Sequence, residues 1–509
     1  MELLYNYLLL TFLLLLLLMI INPKYGSKTQ NKVYRQPPGP CKLPIIGSMH
    51  HLVGKLTHHA LRDLAKTYGP LMHLKLGEVS TVVVTSREAA REMLKIHDIN
   101  FASRPDILAS KIAVYGGLDM LFAPYGDYWR RLRKLCVMEV LSAKRVQSFQ
   151  FVREEEVSDL IDTIQSTSPS PVNLSEMLHT LTNNITARVA FGSRCRDAAA
   201  YLEAMKEGTL LAGGFNLADL FPSLGFISVV TGIKNKLERC HQKIDGILEG
   251  IIEERKEVRA ALKLKDGNGE TMEENILDVL LNFQGRDDEL GFSLTATNIK
   301  AFIFDVFAAG SGTAASSMTW TMSELMRNPR VMKKAQTEVR EALGGKSKFT
   351  EKDVGQLSYL KLVIKESLRL HPPAPLLVPR ECTKTCEINS YVIPVKTRVI
   401  FNAWAMGRDS QYWDDPEEFK PERFEGSSID FKGNCYEYMP FGAGRRMCPG
   451  INFGLASMEL ALAQLLCCFD WSLPHGASEL DMTESAGLGA RRRYDLCLCA
   501  TPYVPLLAN

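Results

Sequence analysis

The stretch FGAGRRMCPG, Phe441 to Gly450, narrows what this chain can fold into more than any other ten residues. Its three glycines let the backbone approach a flat ligand closely. Cys448 is followed by Pro449 and then by a helical pattern from about Phe453 to Cys468. Proline suits the first helical turn. A cysteine there has free amide N–H groups and the positive end of a helix beside it, which lower a thiol's pKa and favour thiolate. Arg446 adds positive charge. A glycine-rich turn with an inert buried cysteine would account for a lone Cys. It does not account for Phe441, Gly444, Arg446, Cys448 and Gly450 together at this spacing.

A second stretch, FDVFAAGSGTAASSMTW from Phe304 to Trp320, has the flanks of a buried helix and Gly310-Ser311-Gly312-Thr313 at its centre. Interior glycine costs a helix about 1 kcal/mol against alanine. Either this helix crosses another closely, or something other than protein fits against its backbone.

The N-terminus sets the location. Leu3 to Ile21 carries no charge. At about 1.5 Å per residue this run spans a hydrocarbon core of about 30 Å. A cleaved signal peptide would want a basic start, a shorter apolar core and a small-residue cleavage site. Here Glu2 is the only early side-chain charge and Asn22-Pro23-Lys24 follows. Residues 1–22 therefore read as a transmembrane anchor. Lys24, Lys28, Lys32 and Arg35 lie just after it, so the positive-inside rule puts the body in the cytosol. QPPGP, Gln36 to Pro40, ends a basic and proline-rich hinge over 23–40, a stiff spacer before residues 41–509.

A net charge of +2 gives no electrostatic reason to expect nucleic acid. The 12 cysteines are scattered and none makes a CxxC pair, so zinc is not expected. Scattered cysteines suit a reducing compartment. LMHLKLGEVSTVVVTS, Leu71 to Ser86, alternates around a Gly77-Glu78 turn and predicts a β-hairpin. Helical pattern covers about Arg87–Lys95, Tyr128–Leu135, Ala143–Ser166, Leu174–Phe191, Ile233–Val258, Thr295–Arg327, Arg330–Leu343 and Tyr359–Leu370. Leu264 to Glu273 is polar and turn-rich, a surface loop. Short strands are expected near Glu387–Ile393 and Thr397–Ala403. The sum is one large domain, mainly α with small β-sheets.

The cysteine loop resembles the haem-binding loop of the cytochrome P450 family: Phe, two residues, Gly, one, Arg, one, Cys, one, Gly. The resemblance runs from the anchor to the C-terminus and is to plant microsomal members, through PPGP, FAPYGDYWRRLRK and FGAGRR. It implies a single haem domain of that fold and makes Cys448 the proximal thiolate ligand of the iron of haem b, within the Phe441–Gly442 loop. Thiolate donation favours O–O cleavage. Trp129 and Arg133 in YWRRLRKL, Arg380 in LVPRE and Arg446 match positions that contact haem propionates, and an indole N–H and guanidinium suit a carboxylate. Glu366 and Arg369 in KESLRLHPPAP, with Arg423 in FKPERF, match a structural triad bracing the chain before the cysteine loop. The glycine-centred helix would pass over the distal face, with Ala309, Gly310 and Ser311 at a dioxygen groove and Thr313 supplying a hydroxyl. One departure stands out: the family has an acid immediately before that threonine, and this chain has Gly312. The loss puts proton delivery in question, not the haem.

The resemblance implies an NADPH- and O2-dependent monooxygenase on the endoplasmic reticulum membrane, cytosolic and single-pass, oxidising a lipophilic plant metabolite, a terpenoid for preference. Electrons would come through NADPH-cytochrome P450 reductase, since no flavin or nicotinamide domain fits in this chain. Two alternatives stand: a haem-thiolate isomerase or dehydratase working without O2, and a non-catalytic haem-binding protein. Segments expected to line the pocket are Ser103–Phe122, Ala301–Thr313, Pro373–Pro379 and Ser485–Gly489.

Overall fold

The computed structural model describes residues 35–194, 201, 203–204, 207–208, 215–265, 274–286, 290–343, 349–474 and 479–503. The expected anchor and most of the hinge lie outside the described residues. Helices of eight residues or more are α1 Thr57–Tyr68, α2 Asp127–Leu135, α3 Gln150–Thr167, α4 Leu174–Phe191, α5 Ile233–Lys265, α6 Ile276–Phe283, α7 Ala296–Gly310, α8 Gly312–Arg327, α9 Pro329–Leu343, α10 Ser358–Leu370 and α11 Ile451–Cys468.

The predicted hairpin is present. Strands β1 Leu71–Leu76 and β2 Val79–Val84 pair antiparallel, Leu71 opposite Val84 and Leu76 opposite Val79. Gly77 turns between them at φ +59°, and a β-carbon there would meet Leu220 O at 2.5 Å. Two short strands, β3 Val172–Asn173 and β4 Arg380–Glu381, come next in the chain. The segment Glu387–Ile393 folds back on itself as β5 Cys386–Ile388 and β6 Tyr391–Ile393, because Asn389 and Ser390 between them both take positive φ. That pair of dihedrals makes a tight hairpin turn. β7 Arg398–Phe401 lies parallel to β2 and carries β4 on its other edge, giving the sheet order β1-β2-β7-β4. β3, β8 Phe469–Ser472 and β9 Cys497–Pro502 form a second small sheet.

The largest core joins α3, α4, α6, α7, α8, α9, α10 and α11. Leu178, Leu181, Ile185 and Val189 recur at helical spacing along α4 and are all buried. Each such side chain stabilises by roughly 1.5–3 kcal/mol. Asn173 caps α4 by accepting the Glu176 N–H at 3.1 Å. α11 is long and apolar enough to cross a membrane, yet 56% of it is buried inside the protein; it is a core helix.

Two predicted helices are divided. Ala143–Ser166 is broken at Phe149, which leaves helical geometry (ψ 12°) and buries its ring in the core. Thr295–Arg327 is broken at Ser311, where α7 ends and α8 begins. Two hydroxyls bond back across the second break. Ser311 Oγ donates to Phe307 O at 2.9 Å and Thr313 Oγ1 to Ala309 O at 2.7 Å. Such back-bonds compete with the helix ladder and bend it.

Arg35 to Pro40 lie on the sheet. His73 N–H donates to Pro38 O at 2.8 Å, and Val392 N–H to Arg35 O at 2.9 Å. The end of the hinge is docked against β1 and β6.

Candidate active site and cofactor loop

Cys448 sits two residues before the N-cap of α11, Gly450. Its N–H donates to Phe441 O at 3.0 Å, closing the loop. The residue keeps partial exposure while the thiol itself is enclosed by protein. Burial pushes the Cys448 thiol up; the Gly450 N–H and the Arg133 guanidinium pull it down and do not win. This corrects the sequence argument: the helix end and nearby cations do not by themselves make a thiolate. A coordinating metal does so outright.

The glycines divide the work differently from the sequence expectation. Gly442 and Gly444 both take positive φ. A β-carbon on Gly444 would stand 2.7 Å from Asp98 Oδ1 and 2.8 Å from Leu94 O, so this glycine lets protein, not a ligand, come close. Asp98 also accepts the Arg445 N–H at 3.1 Å and pairs with Arg380 Nη1 at 3.4 Å. It pins the loop to the segment before it. No sequence signal marked Asp98.

The four candidate propionate donors come to one region. Arg446 lies over the Trp129 ring at 4.2 Å. Arg446 donates to the carbonyls of Ala102 (2.7 Å) and Met120 (3.1 Å), and Trp129 Nε1 donates to Met120 O at 2.9 Å. Arg380 Nη2 donates to Ala443 O at 2.6 Å. Arg133 Nη2 donates to Met447 O at 2.6 Å, beside Cys448. A further arginine, Arg104, joins them. Its guanidinium holds Leu121 O, Val378 O and Pro379 O at 2.6–2.9 Å.

Arg104, Arg380 and Arg446 are all buried. Burial lowers all three, Arg380 to about 10 against the pull of Asp98 and Arg446 to about 9, and repulsion from neighbouring arginines adds to it at Arg104 and Arg446. Carbonyls, Asp98 and the buried carboxyls Asp119 and Asp305 only partly offset this charge. Burying cations without matching anions is costly. The cluster fits a group carrying two carboxylates, as haem does, beside a thiol that can ligate its iron.

The helix break carries the residues expected at the oxygen groove. Ala309 and Thr313, one turn apart, are exposed in the middle of an otherwise buried helix pair, so their shared face borders interior space. Ser311 is buried and points elsewhere. Gly310 answers to packing: a β-carbon there would meet Thr186 of α4 at 3.3 Å. The structure thus brings Ala309 and Thr313 together and leaves Ser311 off that face.

Sequence reasoning missed two buried carboxyls. Asp305 Oδ2 accepts the Met120 and Leu121 N–H groups at 2.6 and 3.0 Å. Burial and the neighbouring Asp119 push Asp305 well up, and burial pushes Asp119 up to about 6. A lone acid in the apolar run FIFDVF was the available signal, since a buried carboxyl needs partners. Asp305 and Arg104 together hold loop 119–122 to α7 and to Val378–Pro379, so two expected pocket walls are tied to each other.

The triad is present and buried. Glu366 bonds Arg369 at 2.7 and 2.8 Å and Arg423 Nε at 2.9 Å, and accepts the Lys420 N–H at 2.8 Å. Arg423 reaches Asp414 O and Asp415 O, and Arg369 reaches Pro416 O at 2.7 Å. The network fixes residues 414–423, upstream of the cysteine loop.

The cytochrome P450 family model matches residues 37–498. Premnaspirodiene oxygenase of Hyoscyamus muticus is 54% identical over 97% of this chain and 98% of its own length. 5-Epiaristolochene 1,3-dihydroxylase of Nicotiana tabacum is 51% identical over 97% of this chain and 98% of its own. A zebra fish cytochrome P450 in a structure with abiraterone matches with TM-score 0.72 at 25% identity, over 88% of this chain and all of that one. With a buried cysteine loop, a clustered set of carboxylate donors and these matches along nearly its whole length, the chain belongs to the cytochrome P450 family and is a haem-iron monooxygenase acting with O2 on a lipophilic substrate.

Proposed function

We propose that this chain oxidises a plant terpenoid, with haem b as its cofactor and electrons from NADPH through a separate reductase, at the endoplasmic reticulum membrane. Cys448 is the iron ligand in this reading. Arg133, Arg380, Arg446 and Trp129 face the propionates, and Ala309, Gly310 and Thr313 border the oxygen site. The bound haem supplies oxygen activation. The protein's own residues place the substrate, keep bulk water out and bring protons to the Thr313 face.

The single observation that carries the reading is the enclosed Cys448 thiol beside an undercompensated cluster of buried arginines. The terpenoid preference is supported by relatives named for terpenoid oxidation. One of similar identity, desmethyl-deoxy-podophyllotoxin synthase of Sinopodophyllum hexandrum at 54%, is named for another compound. Pocket shape, not overall identity, therefore decides substrate. The membrane reading is supported by exposed apolar side chains at one end: Ile45, Val53, Phe226 and Val230 lie in segments whose neighbours Met49, Leu52 and Ile227 pack on a common core. A contiguous exposed apolar patch marks such a contact.

The test is a panel of plant terpenes given to membranes containing this chain and a reductase, with NADPH and ¹⁸O2. One labelled oxygen per product confirms the reading. Turnover that needs no reductase and carries no label replaces it with an isomerase or dehydratase.

A further inference from the structure

We propose that Cys41, His50 and His51 form a binding site for a zinc-class metal ion, separate from the haem iron, where the hinge meets the globular body. The absence of CxxC pairs argued against zinc, but this set uses one cysteine and two histidines that the fold brings together.

Cys41 Sγ lies 3.8 Å from His50 Nε2 and 3.7 Å from His51 Nε2. All three donor atoms fall within 4.8 Å of one another. Tetrahedral zinc, with Zn–S about 2.3 Å and Zn–N about 2.0–2.1 Å, sets its sulfur and nitrogen ligands about 3.6 Å apart. The two sulfur–nitrogen separations match that figure to within about 0.2 Å, so the thiol already stands at shared-ligand distance from both imidazoles. Thiolate plus imidazole is a donor set that selects borderline-soft ions over magnesium or calcium.

The surroundings are those of a metal site. His50 Nδ1 lies 3.2 Å from Gly47 O. An Nδ1–H donated to that carbonyl leaves Nε2, the nitrogen facing Cys41, as the free lone pair. A ligating histidine is ordinarily held in this way by an outer carbonyl or carboxylate. The backbone beneath is fixed: Leu43 and Gly47 exchange hydrogen bonds at 2.9 Å, and Ser48 N–H donates to Lys75 O at 2.6 Å. On the other side of the set, Pro38 is bonded to β1 through His73 N–H at 2.8 Å. Lys42, the adjacent cation, is turned away from the site, with Nζ 3.2 Å from His73 Nδ1. Cys41 is exposed and the histidines half-buried, which leaves the fourth position to water. Binding displaces the thiol proton and closes residues 41–51 into a loop across the hinge junction.

The test uses the full haem-loaded chain and zinc chloride alone. Equilibrium dialysis measures zinc per chain, and X-ray absorption at the zinc edge reads its ligands without interference from the haem iron. One zinc per chain is expected, with one sulfur at about 2.3 Å and imidazole nitrogens at about 2.0–2.1 Å. Cys41→Ser should remove the sulfur shell and weaken binding more than about tenfold, and His50→Ala and His51→Ala should each weaken it comparably. Retained haem absorption in these surface variants shows that folding is intact. A sulfur shell that persists in Cys41→Ser, or zinc uptake unchanged by all three substitutions, overturns the site.

Discussion

The Arg491 guanidinium fills the space in front of Gly312: a β-carbon built on that glycine would stand 2.9 Å from Nη2. The sequence left open whether an acid would fit here. The space is occupied, but by the far end of a flexible side chain carrying the opposite charge. Burial alone pushes Arg491 down, with no carboxylate opposing it. Gly312 is also the first residue of α8, where negative charge favours a helix by about 0.3–1 kcal/mol. Gly312→Asp should therefore pair with Arg491 and raise the thermal midpoint. Gly312→Lys should lower it. In an Arg491→Gln background the gain from Gly312→Asp should largely vanish. Thermal unfolding of these variants beside the wild type reads this, and a loss of stability in Gly312→Asp would refute the pairing.

Glu366 is wholly buried between two arginines and accepts a backbone N–H as well. Removing one member of a buried charge network strands the others, at about 3–5 kcal/mol. Glu366→Ala should accumulate as haem-poor, thermally unstable protein. Glu366→Gln keeps the shape but leaves the two arginine charges unmatched, so it should fall between. Haem content per chain and the unfolding midpoint are the measurements; wild-type values in Glu366→Ala would make the triad decorative.

The fold was legible where pattern and packing agree. Leu174–Phe191 has the predicted ends, because Asn173 caps it and its buried spacing is regular. The hairpin was legible from alternation around Gly77. The divided helix was not, since a pattern reading runs straight through Gly310–Thr313 and the break falls on one residue, Ser311. Arg380 and Arg446 were legible only by resemblance and Arg104 not at all: one-dimensional spacing cannot show that Arg104 and Arg380, far apart in sequence, hold the same walls. Asp98 and the Cys41–His51 cluster depend on loops meeting in space, which local pattern does not encode.

His73 is held neutral. Its Nδ1 accepts from the Lys42 ammonium and its Nε2–H donates to Ser80 at 2.9 Å. Burial, then Lys42 and Lys75, lowers it to about 4. The unfolded chain binds a proton near pH 6.5, so between pH 6.5 and about 4 the unfolded state carries more protons than the folded one. Stability from this residue is complete above pH 6.5 and falls as pH drops towards 4, by roughly 3 kcal/mol in all. Buried His58 and His371, also lowered chiefly by burial, act in the same direction. Denaturant unfolding from pH 7.5 to 4.5 should show this slope, shallower in His73→Gln. An identical slope in that variant would remove His73 from the account.

Burial pushes the Cys448 thiol up, and a coordinating metal is what draws its proton off. Cys448→Ser should fold, because the Phe441–Cys448 bond is made by backbone, and should lose the thiolate-type spectrum of the reduced carbon monoxide complex. Persistence of that spectrum would assign the ligand elsewhere.

Thr313 spends its hydroxyl proton on Ala309 O at 2.7 Å, so towards the open face it offers only lone pairs. It can accept a hydrogen bond from water but not donate one without breaking its own back-bond. Ser311 is similarly committed, to Phe307 O, and Ser316 donates to Ala490 O at 3.1 Å. Donors on this side then come from water, and the Arg491 guanidinium stands at Gly312. The expected proton path is water ordered between Thr313 and Arg491, a bridge that needs two to four polar partners. Thr313→Ala removes one and Arg491→Met another. Each should raise peroxide released per NADPH and lower product per NADPH, while Thr313→Ser should stay near wild type. The effect should appear in coupling more than in substrate affinity, because neither change alters the apolar walls. Peroxide yield and NADPH consumption, measured together with a turned-over terpene, decide it: unchanged coupling in both variants would mean that protons arrive from another side of the pocket.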